Sequence, residues 1–250
     1  MNTQLLLENL TNPALLFFIL GIVAVAVKSD LEIPANSSRF IALYLLFAIG
    51  FKGGQELSQE HFTAEIGWSM VFGLFMSAII PVYAFYLLRI KLNVSDAAAT
   101  AAAYGSVSAV TFVTAITFLE FHKLNSSGHM VAVMALMESP AIIVGLILLS
   151  FYKTNENKIN TQEVVRHALT NGSVVLILGS LLIGYMADAK QAEGIKPFTN
   201  ELFKGFLAIF LLDMGISSGR KLKTFFSYGW FPIAFAMIFP LLHGMAVALL

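Results

Sequence analysis

Gly105-Ser106-Val107-Ser108-Ala109-Val110-Thr111 lies in the middle of an apolar stretch, and Glu138-Ser139-Pro140 lies in the next one. Glycine and β-branched residues with hydroxyls at mid-membrane depth can interrupt a helix and free backbone N–H and C=O groups. Freed N–H groups at a half-helix N-terminus, with its partial positive charge, suit a small anion. Freed carbonyls and hydroxyl oxygens suit a dehydrated sodium ion. The plainer alternative is close helix packing, since Ala, Gly, Ser and Thr let neighbouring backbones approach.

Glu138, in MALMESPAIIVGL, stands about ten residues into the apolar run that begins near 129. A carboxylate at that depth costs several kcal/mol unless it is paired, protonated or liganded. Pro140 removes a backbone donor and loosens the helix beside it. The pair reads as a cation or proton site, against the alternative of a structural hydrogen-bond partner for the preceding span. Other polar residues carry less. Asp213 is divided evenly between function and structure, Glu120 reads as an interface residue, and His243 as a packing residue. Gly53, Gly54 and Gly219 read as helix ends or bends. The chain shows no His/Glu metal spacing, no nucleophile elbow and no phosphate-binding glycine loop.

These residues must be held by membrane-spanning helices. Of the 250 residues, 58% are hydrophobic and 12% charged, and the mean hydropathy is +0.79. That composition is an integral membrane protein's, with runs of helix rather than barrel length. Net charge is zero, which gives no reason to expect nucleic acid. The absence of cysteine excludes disulfides and thiolate metal sites. MNTQLLLENL carries Glu8 and no Lys or Arg, so the first apolar run is expected to remain as a span. Spans are expected near 11–27, 38–57, 66–88, 97–119, 129–151, 171–187, 201–219 and 228–250, with short loops that make consecutive helices neighbours.

FIALYLLFAIGFKGGQEL at 40–57 is echoed by GFLAIFLLDMGISSGRKL at 205–222, at a constant offset of 165. Gly50 matches Gly215, Gly54 matches Gly219 and Leu57 matches Leu222. The second copy lies five spans on from the first, an odd number, so it is expected upside down relative to it. Inverted repeats of this kind are the ground plan of secondary transporters. The expected division is 1–151 for the first repeat, 152–171 for a connector and 172–250 for a second repeat. The chain stops at Leu250 inside an apolar run, so that second repeat is expected to be incomplete. Lys and Arg divide five against ten between the two sides. The positive-inside rule then puts the N-terminus outside and the 152–171 loop in the cytoplasm.

YGSVSAVTFVTAITFLE and LMESPAIIVG resemble the cyanobacterial-type sodium-dependent bicarbonate transporter family and its bacterial relatives. Its members show a glycine–serine motif ending in Leu-Glu, then an acidic–x–proline motif on the next span. The likeness extends loosely over the whole chain. Where the family pattern has a second Gly and Ser, this chain has Ala109 and Val110, and Glu138 stands where Asp is frequent. The resemblance implies an all-α polytopic fold of inverted five-helix repeats, ten helices when complete and about eight here, with core and gate subdomains. It also implies a homotrimer in the bacterial plasma membrane, a cytoplasmic PII-like regulator, and sodium-coupled uptake of bicarbonate.

Carried over position by position, the substrate motif falls on Gly105, Ser106, Ser108 and Thr111, and the sodium ligands on Ser108, Thr111 and Glu138. The expected function is a symporter of bicarbonate or a similar small anion working by alternating access, with sodium as coupling ion, no other cofactor and no enzymatic reaction. A proton-coupled carrier using Glu138, and a sodium-independent channel or uniporter, are the alternatives. A membrane-embedded enzyme is disfavoured, because Ser106 and Ser108 have no nearby histidine to activate them.

Overall fold

In hydrocarbon, backbone polar groups must be satisfied within their own segment, so apolar runs of this length become helices. The computed structural model describes residues 12–60, 63–108, 111–112, 115–116, 118–119, 124, 127–152, 162, 166 and 170–248. Among these the regular elements are helical, with no strand. They are α1 (Pro13–Ala26), α2 (Ala35–Gln59), α3 (Ala64–Leu88), α4 (Val94–Gly105), α5 (His129–Tyr152), α6 (Gly172–Met186), α7 (Ala189–Lys196), α8 (Phe203–Ser227) and α9 (Trp230–Ala248). A π turn, Pro197–Glu201, joins α7 to α8. Helices α2, α3, α5 and α9, and the run Ala189–Ser227, are long and apolar enough to cross a membrane, while α1 and α6 are shorter apolar helices. The fold is that of an all-α polytopic membrane protein.

Local signals set the ends. Asn12 accepts from the Ala14 N–H at 3.0 Å with Pro13 at the first helical position, and Asn171 caps α6 through the Ser173 N–H at 2.9 Å. Asn93 starts α4 by accepting from the Asp96 N–H at 2.9 Å. Gly229, at φ +84°, makes the turn between α8 and α9.

The helices pack as two groups. One joins α3, α4, α5 and α9 around Phe85, Leu88, Ala98, Leu148 and Phe235. The other joins α1, α2, α6 and α8. Helix α5 bridges them, because Val131, Ala132, Met134 and Ala135 share a core with Ile49 of α2 and with Ile177 and Leu181 of α6.

Three expectations need correction. Short loops do not make α1 and α2 partners: α1 packs along α8, and α2 along α6. Gly53, Gly54 and Gly219 do not end helices but lie inside α2 and α8, where they admit neighbours. The stretch after residue 187, read as a loop, forms α7, started by a capping box between Asp188 and Gln191. The span expected at 97–119 is interrupted at its small-residue cluster as expected, since α4 stops at Gly105. Most of the 152–171 connector lies outside the described residues.

Candidate functional site

Helix α4 ends where the small-residue cluster begins. Gly105 is wedged between α3 and α5: a Cβ there would stand 2.3 Å from the Pro81 Cγ and 2.9 Å from the Ala141 Cβ. The chain then leaves the helix, with Ser106 extended at φ −104° and ψ 165°. Ser108 re-enters helical bonding, its carbonyl accepting from the Phe112 N–H at 2.9 Å. Residues 106–108 are thus a break in the fourth span, with Ser108 at the head of the turn beyond it. Serine suits that place, as its hydroxyl can satisfy an N–H of the first turn. Ala109 and Val110 lie outside the described residues.

The break opens into a cavity of about 430 Å³. Ser106, Val107, Ser108 and Thr111 form one side of it, and Met134 and Glu138 of α5 another. The opposite wall is apolar, made by Ala42, Leu45, Leu46 and Ile49 of α2, by Ile177, and by Phe203, Leu207, Phe210, Leu211 and Met214 of α8. Four of the five site residues read from the sequence therefore share one cavity. Gly105, the fifth, packs against Pro81 and Ala141 and is absent from the lining.

Glu138 is half-buried and makes no hydrogen bond or ion pair with any described residue. Pro140, on the same helix, has no N–H to offer the Leu136 carbonyl. Three hydroxyls and one carboxylate form an all-oxygen donor set, which suits a hard cation such as sodium. No group of three or more His, Cys, Asp or Glu among the described residues could hold a metal ion.

The model of the Na+-dependent bicarbonate transporter superfamily matches residues 13–250. The chain belongs to that superfamily. Comparison with curated proteins finds no match. The superfamily match covers both the break and Glu138, so the cavity lies within the matched region.

The superfamily member's remaining polar residues fall elsewhere. Asp213 accepts a hydrogen bond from the Ser38 hydroxyl, tying α8 to α2 just outside the cavity lining. His243 bonds through Nε2 with the Tyr83 hydroxyl, a satisfied packing residue. Glu120 lies outside the described residues. The apolar wall was not foreseen, since α2 and α8 read simply as repeated apolar spans. Their joining into one wall rests on an antiparallel contact of Tyr44 and Leu45 with Phe206 and Leu207. Glu60 was also missed; it accepts from the Gly128 N–H at 2.6 Å and lies 3.0 Å from His129 Nδ1.

Proposed function

We propose that the protein is a sodium-coupled symporter of bicarbonate that works by alternating access. The observation that carries this reading is the meeting, in one cavity between two helix groups, of the Ser106–Ser108 break, Thr111 and Glu138, which has no partner among the described residues. Superfamily membership supplies the cargo and the coupling ion. Sodium neutralises Glu138 and takes hydroxyl oxygens of Ser108 and Thr111. The anion then meets the hydroxyls and N–H groups of the break without facing a bare carboxylate. Coupling follows because the anion binds well only when sodium is already bound.

Alternating access requires α3, α4 and α5, which carry the polar side, to shift against the apolar wall of α2 and α8. The glycine contacts of α2 on α6 and of α8 on α1 support two inverted repeats, 1–151 and 172–250, and the five-against-ten division of Lys and Arg supports an N-terminus outside and a cytoplasmic 152–171. A homotrimer with a PII-like regulator belongs to the same reading. The second reading is proton coupling, favoured by one observation: Glu138 has no described partner and so could carry a proton itself.

Uptake of labelled bicarbonate into proteoliposomes, driven by a sodium gradient or by a pH gradient, tests both. Sodium-driven uptake abolished by Ser108→Ala and Glu138→Ala supports the symporter. Uptake driven by pH alone moves the assignment to protons, and uptake without either gradient to a uniporter.

A further inference from the structure

Helix α2 hands over, past its last turn, to Glu60, whose backbone is extended at φ −88° and ψ 138°. Both carboxylate oxygens are engaged on the start of α5. Oε1 accepts from the Gly128 N–H at 2.6 Å, and Oε2 lies 3.0 Å from Nδ1 of buried His129. Gly128 immediately precedes the first residue of α5. Its N–H is the one that a Glu three residues into the helix takes in a capping box. Here that acid comes from another helix, and it brings a negative charge to the positive end of α5.

The junction is close. A Cβ on Gly128 would stand 2.3 Å from the Glu56 Cβ and 2.9 Å from the Leu57 nitrogen. From there α2 and α5 run antiparallel, with Gly53 against Val131 and Ile49 in one core with Met134. They then separate into two walls of the cavity, where α5 presents Glu138. Glu138 stands nine residues beyond His129, about 14 Å along a helix.

We propose that Glu60 is a positioning residue for transport: it clasps the N-terminus of α5 to the end of α2, sets Glu138 in the cavity, and must release once per cycle. The inference rests on the reading of the cavity as the transport site. Two helices that wall one cavity cannot exchange its opening between sides while joined rigidly at their common end. The clasp is polar and lies at the end of the span, so it can open at far smaller cost than the apolar contacts beside it.

The absence of cysteine allows a direct test. In Glu60→Cys/His129→Cys, a short bifunctional methanethiosulfonate linker should lower sodium-driven bicarbonate uptake about tenfold or more, with recovery on reduction. In Glu60→Ala, the half-saturating sodium concentration should rise about fivefold, the size of one lost hydrogen bond, with a smaller change in maximal rate. Glu60→Gln keeps an acceptor for Gly128 and should recover part of that shift.

Sodium-dependent thermal stabilisation of the purified protein reads the same displacement without transport. If wild type carries no bicarbonate but its sodium stabilisation weakens in Glu60→Ala, the clasp stands and the cargo assignment fails. Full uptake in the linked protein would overturn the proposal. So would a Glu60→Ala variant with wild-type sodium dependence, which would leave Glu60 as a helix cap alone.

Discussion

Gly54 and Gly184 bring the backbones of α2 and α6 into contact. A Cβ on Gly54 would stand 2.1 Å from the Leu181 carbonyl oxygen and 3.0 Å from the Gly184 carbonyl carbon. Gly215 and Gly21 do the same for α8 and α1, where a Cβ on Gly215 would stand 2.1 Å from the Phe18 carbonyl oxygen and 3.2 Å from the Gly21 Cα. In each case a G-x-x-x-G stretch, Gly50–Gly54 or Gly215–Gly219, meets a glycine of a shorter helix. Gln55 seals the first crossing by donating to the Gly184 carbonyl and, at 2.8 Å, to that of Ala187.

Gly54→Ala should therefore destabilise the protein by about 1–3 kcal/mol, because its methyl group meets backbone that cannot rotate away. Gly205→Ala is the control, since nothing lies within 4 Å of its Cβ position. That change should be neutral or stabilising by up to about 1 kcal/mol through helix propensity. Thermal unfolding in detergent compares the two, and equal effects would refute the packing account.

Glu138→Gln keeps the shape of the side chain and removes its charge. The half-saturating sodium concentration for uptake should rise about tenfold or more, the equivalent of about 1.4 kcal/mol. Unchanged sodium dependence would remove Glu138 from the cation site.

Gly105→Ala tests the break itself. Its methyl group would press on Pro81 and Ala141, so α4 must move away from α3 and α5. Uptake should fall together with stability, the latter by about 1–3 kcal/mol. Wild-type uptake in this variant would show that the position of the break does not matter.

The Ser38–Asp213 hydrogen bond joins the two helices of the apolar wall. Ser38→Ala and Asp213→Ala should each cost about 1–3 kcal/mol, as befits a bond to a carboxylate. The double variant should cost less than the sum of the two, and additive losses would show that the pair does not act together.

Acid should loosen the Glu60 clasp. Burial pushes the Glu60 carboxyl up, but its bonds to His129 and Gly128 outweigh this and hold it below the ordinary carboxylate value. Its contribution to stability is complete above that ordinary value, about 4.3, and is lost as pH falls through the lowered one. The Lys52–Glu56 pair, at 3.7 Å, lies one turn back on α2, and Glu65 lies in the first turn of α3. Acidification through this range should therefore lower the melting temperature more in wild type than in Glu60→Gln. Parallel curves would refute the contribution.

Membrane class, helix positions and the break after Gly105 were legible because each is local. A run of apolar residues, a capping side chain and a glycine among hydroxyls act on their own stretch of backbone. The capping box at Asp188 and Gln191 was equally local and could have announced α7. Glu138 stood out because a carboxylate in an apolar run is costly wherever its helix packs. Tertiary structure alone decided that α1 lies on α8 and α2 on α6, that two apolar spans wall the cavity, and that Glu60 reaches Gly128. Those facts depend on which surfaces meet, and a glycine in sequence records only that some backbone can come close, not whose.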